Sequence, residues 1–556
     1  MEFISKSKLL HPVTVALWLT FVCFSLNYSA LSGNWRWDDS SILLHLNNYS
    51  IIDTFLNPEI WRELSRTNLM PWLAFSYEVD LYIFGLNPGL FYLHHLLVLA
   101  ASGLALYFLQ TLWISRKFAV YGATLFLVSE PSVIVAQQLM TRHYIEGLLF
   151  CLLSLQFFIH YLRGADRLLL VLSVFFYVLS VMSKELYVPL VILLPFLPEA
   201  TVRQRLMAII PFTLVVLIYI FWRGDMLGTL TGGYTESDIY LNLSFLPEVL
   251  GSFAKFPLLL FGSIWPLFVI PYLLLVSTYL FFTRSKMLVS GLVLLLVLLP
   301  LIPLVRSPGI LSADRYLFLF WVVISFSVAF FSDNVIGCRP GKTIRAVIVV
   351  IVLPLFFLIS LFGSQVAAKS IATVASEYDE QAAFIWNNTS DLAFEPSDRL
   401  KKSYWFVSNL IEFKERLIPS SSSPLAIPDD VYLDSPVDQL FTYSADCNCM
   451  QDISNSIPER RSRFTENVQT DAPLTVEFQY ESTMFRWQLG PYQQGTYRIV
   501  SNVLGEVMVP PSGKLGITLR GSPVFYISYT SPEGWITYSD ELTIVRNAPV
   551  VNWHRP

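Results

Sequence analysis

The chain of 556 residues carries 37 Lys and Arg against 42 Asp and Glu, so its net charge of −5 is small for its length. Hydrophobic residues make up 54% and charged residues 14%, whereas soluble domains average roughly 45–50% and about 25%. This composition excludes an ordinary soluble protein, a disordered chain and a polybasic nucleic-acid binder. A polytopic membrane protein with a soluble appendage remains.

The balance of charge changes sign along the chain. Residues 1–362 carry 22 Lys and Arg against 19 Asp and Glu, a balance of +3. Residues 363–556 carry 15 against 23, a balance of −8, and they contain no long apolar stretch. We therefore predict a transmembrane domain over 1–362 and a soluble domain over 363–556.

Long apolar runs predict the transmembrane helices. A spanning helix needs about 20 apolar residues, and windows of that length predict about eleven spans. The predicted fold class is therefore an α-helical polytopic membrane protein. The predicted spans cover residues 11–30, 89–112, 118–137, 144–162, 167–182, 186–200, 206–222, 257–282, 287–305, 315–332 and 344–362.

The positions of the cations predict the orientation. With a cytoplasmic N-terminus, 13 Lys and Arg fall on the cytoplasmic side and nine on the other side, which follows the positive-inside rule. An odd number of spans then places the C-terminal domain outside the cytoplasm. We predict a bacterial inner membrane with a periplasmic C-terminal domain. Asn-x-Ser/Thr sequons beginning at Asn48, Asn242, Asn387 and Asn388 would suit an endoplasmic-reticulum lumen too.

The first outer loop, residues 31–88, carries a pair of acidic residues near its start. Its first charged residues lie in the run Asn34-Trp35-Arg36-Trp37-Asp38-Asp39, directly after the first span, so the carboxylates should lie just above the membrane surface. A carboxylate there can serve as a general base. The ordinary alternative for an Asp-Asp pair is a solvated turn. Later in the same loop, Glu78 and Asp80 could supply a second acidic element, but a polar helix face at the surface is the favoured interpretation.

Five cations lie at span ends or in loops on the predicted outer face. Because a basic residue there opposes the positive-inside rule, its retention calls for an explanation. These cations could converge on an anion such as a lipid phosphate; snorkelling and local ion pairs are the alternatives. The five are Arg142, Lys184, Arg223, Arg306 and Arg315.

Several short motifs follow one another along the membrane part of the chain. They are Trp37-Asp38-Asp39, Asn68-Leu-Met-Pro71, Phe84-Gly-Leu-Asn-Pro88 before Leu93-His94-His95-Leu96, Glu130-Pro131 with Thr141-Arg142, Ser183-Lys184-Glu185, and Asp314-Arg315-Tyr316. In this order they resemble the GT-C glycosyltransferases, and most closely the transmembrane and tetratricopeptide-repeat O-mannosyltransferases. Glu130 stands where that family usually has His, and residues 363–556 show no 34-residue repeat. The resemblance therefore covers the membrane part alone.

The resemblance implies a membrane enzyme that takes a sugar from a polyprenyl-phosphate donor at the non-cytoplasmic face. The acceptor is a hydroxyl group of a glycan, a lipid or a protein. Asp38 or Asp39 would be the catalytic base, and the other would orient it, hold a sugar hydroxyl or bind a divalent cation. Direct attack on the activated donor would invert the anomeric centre.

The departing phosphate requires positive charge. The motif matches assign that role to Arg142, Lys184 and Arg315, and supporting roles to Glu130, Glu185 and Asp314. A transporter or flippase for lipid-linked sugars, or a non-catalytic binder of them, is the alternative from another class. A transporter would use the same cations without a base, but it should show internal repeats, and we see none in the sequence.

The C-terminal domain is predicted to be mixed at first and largely β from about residue 473. Helical spacing marks Tyr378–Trp386 and Tyr404–Leu417, and short alternating strands separated by turn residues then predict a small β-sandwich. Cys447 and Cys449 could pair in an oxidising compartment, and we assign them no function. The predicted strands are Leu474–Tyr480, Thr496–Val500, Leu515–Leu519, Val524–Tyr529 and Leu542–Val545.

Overall fold

The computed structural model describes two compact units. We call Met1–Gly33, Thr54–Pro58 and Ser65–Thr373 the membrane unit, and Asn34–Asp53, Glu59–Leu64 and Val374–Pro556 the tail unit. Part of the predicted first outer loop therefore belongs to the tail unit. The described residues are 11–229, 251, 255, 258, 265–282, 287–298, 315–337, 342–419, 422–434, 437–481, 484–501, 503–516, 524–544 and 550–556.

Apolar helices dominate the membrane unit. Among the described residues, six helical segments are long and apolar enough to cross a membrane. They show that the chain is an integral membrane protein. The six are Pro12–Ser32, Pro88–Thr111, Leu139–Gly164, Val202–Leu227, Arg315–Ile336 and Val349–Asn387.

The predicted count of about eleven spans is not confirmed over the described residues. Arg116–Leu127 and Glu130–Ala136 would form a seventh span, but the two helices meet at a bend of 57°. Three further apolar segments are shorter than a span, namely Arg167–Ser183, Glu185–Phe196 and Trp265–Leu280. The predicted span 287–305 begins as the helix Met287–Leu298, and its remainder lies outside the described residues.

The helices that have at least half of their residues in the membrane unit are Pro12–Asn27, Ile51–Leu56, Pro71–Phe84, Pro88–Thr111, Arg116–Leu127, Glu130–Ala136, Arg142–Gly164, Arg167–Ser183, Leu190–Leu193, Val202–Ala208, Ile210–Leu227, Trp265–Phe282, Met287–Leu298, Phe318–Gly337 and Lys342–Asn387. The last of these runs through Gly363, where the composition of the chain changes, and its residues from Val374 onward belong to the tail unit.

Local chemistry explains the Phe84–Pro88 motif. Gly85 has φ +59°, a conformation that suits a residue without a Cβ atom, and its N–H donates to the Leu81 carbonyl to end the helix Pro71–Phe84. Two residues later, the side chain of Asn87 accepts from the Leu90 N–H at 3.4 Å, and Pro88 occupies the first turn of the next helix. The motif is therefore a helix end followed by a helix start.

Hydroxyl groups join the helices Arg142–Gly164 and Arg167–Ser183. The Ser154 hydroxyl donates to the Ser173 carbonyl at 2.8 Å, and the Ser173 hydroxyl donates back to the Ser154 carbonyl at 2.6 Å. Ser180 donates to the Gly147 carbonyl at 2.8 Å. Such contacts hold helices together in a membrane, where apolar burial between helices adds little.

The tail unit begins its C-terminal part with a four-stranded mixed sheet. Its central strand Ala393–Glu395 pairs in parallel with Leu425–Ala426 and Leu440–Ser444, and Cys449–Asp452 adds an antiparallel edge. The helices of the tail unit outside the shared helix ending at Asn387 are Asp39–Asn48, Pro58–Leu64, Asp398–Lys402, Tyr404–Leu417 and Ile457–Asn467. The helix Tyr404–Leu417 has the predicted bounds. Cys447 and Cys449 form a disulfide.

Two antiparallel sheets follow, and they share one apolar core. Leu474, Val476 and Phe478 from one sheet pack with Ile499 and Ile527 from the other. The first sheet contains Val550–Arg555, Leu474–Glu481, Met484–Gly490 and Ser512–Gly516, and the second contains Ile536–Tyr538, Val524–Thr530, Thr496–Ser501, Gly505–Val509 and Leu542–Thr543. The prediction of a β-rich C-terminal region is confirmed. Residues 517–519 of the predicted strand Leu515–Leu519 lie outside the described residues.

Candidate functional site

The tail unit holds the acidic pair in an ordered loop. Arg36 is almost fully buried, and its guanidinium donates twice to Asp379, from Nε to Oδ1 at 2.7 Å and from a terminal nitrogen to Oδ2 at 2.6 Å. The Asn34 N–H donates to the same Asp379 oxygen, Oδ1, at 2.8 Å. A bidentate Arg–carboxylate pair fixes both orientation and distance. The backbone that leads to the acidic pair is therefore held at two points.

Trp37 occupies an unusual backbone conformation directly before the acidic pair. Its φ is +48°, a region that a bulky L-residue rarely adopts. The indole lies 5.3 Å from the Tyr378 ring, which packs in turn against Phe406 at 4.9 Å. Strained residues of this kind persist where surrounding contacts enforce them, and they concentrate at functional sites.

The two carboxylates of the pair have different surroundings. Asp39 is fully buried, and its Oδ2 accepts from the Arg36 N–H at 2.9 Å. Asp38 is exposed, at the N-terminal end of the helix Asp39–Asn48, and its Oδ1 accepts from the Trp405 indole N–H at 3.3 Å. The sequence left the choice between the two open. The geometry gives Asp39 a role in shaping the loop and leaves Asp38 accessible to a ligand.

Contacts within the tail unit also fix the helix that follows. The Asn409 amide donates to the Ser41 hydroxyl at 2.7 Å, and Arg416 donates to the Asn48 side chain at 2.9 Å. Both partners come from the helix Tyr404–Leu417. The helix Asp39–Asn48 is thus bonded near both of its ends to the helix Tyr404–Leu417.

In the membrane unit, Arg142 lies in a buried ionic network. It is fully buried, and one terminal nitrogen lies 2.6 Å from Asp80, itself almost fully buried. The other terminal nitrogen donates to the Phe91 carbonyl at 3.2 Å. The centre of the Tyr77 ring lies 4.8 Å from the guanidinium carbon of Arg142. Asp80 also contacts the His94 imidazole at 2.8 Å. The interpretation of Asp80 as part of a polar surface face is wrong, because its charge serves to balance Arg142 in the interior.

The Glu146 side chain extends this network one turn along the helix. Its Oε1 accepts from the Ser76 hydroxyl at 2.6 Å and lies 4.0 Å from Arg142 Nε. Sequence reasoning missed Ser76 and Glu146 and favoured a surface face for Asp80. A signal was available for one pair, because Ser76 and Asp80 are spaced four apart in the helix Pro71–Phe84, the spacing that puts both on one face.

Lys184 and Arg315 flank a cluster of aromatic side chains at the N-terminal end of the helix Arg142–Gly164. Lys184 Nζ lies 5.2 Å from the centre of the Tyr144 ring, and the Arg315 guanidinium carbon lies 5.5 Å from that of Tyr316. The Tyr144 and Tyr316 rings are 6.4 Å apart. The His143 ring lies 4.6 Å from the Tyr144 ring. We call these five residues the cationic cluster.

A break between helices positions Lys184. The helix Arg167–Ser183 ends at Ser183, and Lys184 has extended backbone angles before the short 3-10 turn Glu185–Tyr187. The Tyr187 ring packs tightly on Gly147. A Cβ atom added to Gly147 would lie 2.3 Å from a carbon of that ring. The Tyr187 hydroxyl donates to the Tyr144 carbonyl at 2.5 Å. These contacts lock the break against the first turns of the helix Arg142–Gly164.

Glu185 joins this break to the Asn68–Pro71 motif. Its Oε1 accepts from the Leu69 N–H at 2.9 Å and from Arg223 Nε at 2.8 Å. Arg223 also donates to the Thr67 carbonyl at 3.4 Å, and the Tyr219 hydroxyl donates to the Leu69 carbonyl at 3.0 Å. Glu185 and Arg223 therefore have a positioning role that ties the Ser183–Glu185 motif to residues 67–69.

The remaining predicted site residues have simpler placements. Glu130 begins the helix Glu130–Ala136 and is buried, with Oε2 lying 3.6 Å from the position of a Cβ atom added to Gly363. Asp314 lies outside the described residues. No group of three or more His, Cys, Asp or Glu residues that could hold a metal ion occurs among the residues that the structure describes. A divalent cation at Asp38 and Asp39 would need oxygen ligands beyond these two, and it stays a prediction.

No protein-family model and no curated protein matches the chain. It is similar to the archaeal oligosaccharyltransferase AglB from Archaeoglobus fulgidus in complex with an inhibitory peptide and a dolichol-phosphate, with 11% identity and a TM-score of 0.47 over 91% of this chain and 76% of that chain. It is also similar to the Archaeoglobus fulgidus oligosaccharyltransferase in complex with Zn and sulfate, with 11% identity and a TM-score of 0.46 over 85% of this chain and 72% of that chain.

Both neighbours are oligosaccharyltransferases by their printed descriptions. Likeness at this level of identity and TM-score does not extend to a donor, an acceptor or a mechanism. The functional roles below rest on the geometry of this chain.

Proposed function

We propose that the protein is a membrane glycosyltransferase that moves a sugar from a polyprenyl-phosphate donor to an acceptor hydroxyl group. The observation that carries the proposal is the exposed Asp38 carboxylate on a loop held by the Arg36–Asp379 ion pair. An enzyme gains from holding a base rigidly, because the ordering cost is met during folding. The strained Trp37 and the buried bidentate anchor support a chemical task for this loop.

Asp38 acts as the general base in this proposal. It accepts the proton of the acceptor hydroxyl while the hydroxyl oxygen attacks the anomeric carbon. At the same time the bond between the anomeric carbon and the phosphate oxygen of the donor breaks, and the polyprenyl phosphate leaves. Such a base contributes about 10²- to 10⁴-fold to a rate. One displacement inverts the anomeric centre. Asp39 has its Oδ2 committed to the Arg36 N–H, so we assign it to loop geometry.

The cationic cluster holds the donor phosphate. Lys184 and Arg315 stand near Tyr144 and Tyr316 at the start of a 23-residue helix, whose N-terminus adds positive potential. Their charges stabilise the phosphate as it leaves. The acceptor belongs to a glycan, a lipid or a protein.

Arg142 has a different task from the one that the motif match implies. Arg142 is fully buried, and its guanidinium lies 2.6 Å from the Asp80 carboxylate. A phosphate that bound Arg142 would have to displace Asp80. We therefore assign Arg142 to positioning: it holds the helices Pro71–Phe84, Pro88–Thr111 and Arg142–Gly164 together. His143 and Tyr144 follow it directly, so this anchor also fixes the cationic cluster.

The proposed location is a bacterial-type inner membrane, with the tail unit outside the cytoplasm. The cation pattern supports this orientation. The Cys447–Cys449 disulfide supports it too, since disulfides persist in oxidising compartments.

A transfer assay with purified full-length protein in lipid nanodiscs tests the proposal. Radiolabelled polyprenyl-phosphate sugars serve as donors, and extracted membranes or cell envelope serve as acceptor. Asp38→Asn should lower transfer at least about 100-fold while donor retention stays unchanged. Asp53→Asn is the matched control, since Asp53 is an exposed carboxylate in the same segment of the tail unit.

The transporter alternative predicts a different result. It expects donor to bind and to move across vesicle membranes in wild type and in Asp38→Asn alike, with no label reaching an acceptor. Equal transfer by wild type and Asp38→Asn would remove Asp38 from the base role.

A further inference from the structure

The tail unit contains a polar cavity apart from the acidic loop. Its volume is about 250 Å³, and it lies where the mixed sheet region meets the β-sandwich. That volume is below the roughly 300–1,000 Å³ of a pocket for a drug-sized ligand, so it suits a small molecule or one part of a larger one. We call it the charged pocket. Its ionic side chains include Glu395, Lys401, Asp429, Asp430, Arg460 and Glu506.

The charged pocket has one wall formed by a linked set of ion pairs. Glu395 contacts Lys401 at 2.5 Å through Oε1 and Arg460 at 2.9 Å through Oε2. Arg460 also contacts Asp430. Burial raises the pKa of Glu395, but Lys401 and Arg460 outweigh that effect and bring it below its ordinary value. This wall therefore presents fixed donors and acceptors whose orientation is set before any ligand arrives.

Two further carboxyls, Asp429 and Glu506, also line the charged pocket. Asp429 Oδ1 accepts from the Tyr538 hydroxyl at 2.8 Å and from the Val431 N–H at 2.9 Å. Glu506 pairs with Arg498 at 2.6 Å. Burial raises the pKa of Asp429 and that of Glu506. Carboxyls with shifted pKa values in a cleft are typical of ligand sites.

The charges in the pocket argue against an ionic ligand. Four carboxylates face three cations, Lys401, Arg460 and the exposed Arg463 at the rim. Arg498 adds positive charge beside Glu506, so the set is nearly balanced. A metal ion is disfavoured as well, because no three acidic, His or Cys groups come together as a metal site in the part of the chain that is described. A neutral ligand with many hydroxyl groups fits best, since each hydroxyl both donates and accepts.

Two aromatic rings supply the apolar part of the pocket. Phe464 and Tyr538 line it with their ring centres 5.6 Å apart, next to Ile536. A sugar ring has one apolar face of C–H groups and an edge of hydroxyls, which matches an aromatic wall beside carboxylates and cations. We propose that the charged pocket binds a neutral saccharide. This binding does not depend on the proposed transfer reaction.

The test is saturation-transfer NMR and calorimetry on the purified full-length protein in nanodiscs. The probes are neutral trisaccharides of glucose, galactose, mannose and N-acetylglucosamine, with inorganic phosphate and Ca²⁺ as ionic probes. We expect at least one trisaccharide to bind with a Kd of about 1 mM or tighter. Phe464→Ala should weaken that binding about tenfold or more, because one aromatic contact is lost.

Two further variants keep the test decisive if Phe464→Ala unfolds the tail. Tyr538→Phe retains the ring but removes the hydroxyl that bonds to Asp429, and it should weaken binding with little change in Tm. Tyr443→Phe is the control, since the Tyr443 hydroxyl bonds to Asn448 in the same unit and lies outside the pocket. Binding should persist in Asp38→Asn, which separates this pocket from the proposed catalytic loop.

Three outcomes overturn the proposal. The first is that no trisaccharide binds. The second is that saccharide binding is unchanged in Phe464→Ala and Tyr538→Phe. The third is that Ca²⁺ or phosphate binds at one equivalent and loses affinity in these variants.

Discussion

Arg36 and Asp379 are 343 positions apart in the sequence and form a two-pronged ion pair, with donor–acceptor distances of 2.7 and 2.6 Å. The pair joins the start of the predicted first outer loop to the helix that ends at Asn387. Within the tail unit it is the anchor of the acidic loop. A substitution at Asp379 should therefore change the position of the Asp38 carboxylate, although Asp379 itself has no catalytic role.

Asp379→Asn should destabilise the tail unit and lower activity together. The substitution leaves the buried Arg36 charge without its carboxylate, and breaking a buried pair costs about 3–5 kcal/mol, less here because Asp379 is partly exposed. We expect a cost of about 2–3 kcal/mol, measured as a drop in Tm of the purified protein and as faster limited proteolysis.

The control for this prediction is Glu377→Gln, two residues away. Its partner Arg399 is half exposed, and such surface pairs contribute about 0–1 kcal/mol. A loss of stability in Glu377→Gln as large as that in Asp379→Asn would show that the helix, and not the buried pair, sets the effect.

Arg142 and Asp80 should show strong mutual dependence. Either Arg142→Gln or Asp80→Asn alone leaves one charge buried at full cost, about 3–5 kcal/mol. The double variant removes both charges and should recover a large part of that loss. The readout is the Tm and the monodisperse yield of each variant in detergent, arranged as a double-mutant cycle.

Donor binding separates this positioning role from a phosphate-binding role. If Arg142 contacts the donor phosphate, Asp80→Asn frees a cation and should tighten donor binding. Our assignment predicts that Asp80→Asn does not tighten it, and a clear gain in affinity would contradict the assignment.

The local parts of the fold could be predicted from the sequence because they depend on neighbours along the chain. The helix start at Asn87-Pro88, the break at Lys184 and the helix Tyr404–Leu417 each follow from capping, turn or periodic patterns within a few residues. Six apolar segments of spanning length also follow from composition. The count of about eleven spans is not confirmed among the described residues, where some apolar runs form short or bent helices.

The site could be predicted only in part. The sequence selects Asp38 and Asp39 together but carries no information on their burial. The partners that hold this loop come from more than 300 positions away, since Asp379 bonds to Arg36 and Trp405 bonds to Asp38. The sequence likewise cannot show that Arg142 is neutralised by Asp80. Long-range ion pairs are invisible to periodicity, since both partners are simply polar residues in different segments.

Lys184 and Arg315 should contribute to donor affinity separately and additively. Lys184→Met and Arg315→Gln each remove one charge from the cationic cluster, and a charged hydrogen bond contributes about 1.5–3 kcal/mol. We therefore expect the KM for the donor to rise about tenfold or more in each variant, with the Tm nearly unchanged in Arg315→Gln, whose side chain is partly exposed.

Arg163→Gln is the matched control for the cationic cluster. Arg163 is a partly exposed cation of the membrane unit that pairs with Glu199 at 2.9 Å, away from the cluster residues. Its loss should leave the KM for the donor unchanged. A KM that rises as much in Arg163→Gln would mean that overall charge, and not the cluster, governs donor binding.

Asp429 should make the stability of the tail unit depend on pH in a definite direction. Burial raises the pKa of Asp429, so the folded chain holds this proton more tightly than the unfolded chain. The resulting stabilisation is present below the unfolded pKa and is lost as the pH rises through the folded one. Asp429→Asn keeps an acceptor oxygen for Tyr538 and removes the titration. The Tm at pH 7 minus the Tm at pH 4 should therefore be larger in Asp429→Asn than in wild type by about 2 °C. Thermal scans from pH 4 to 8 measure this difference. The control is Asp438→Asn, at an exposed carboxylate, which should leave the difference unchanged. An Asp429→Asn profile of Tm against pH that runs parallel to that of wild type would contradict the prediction.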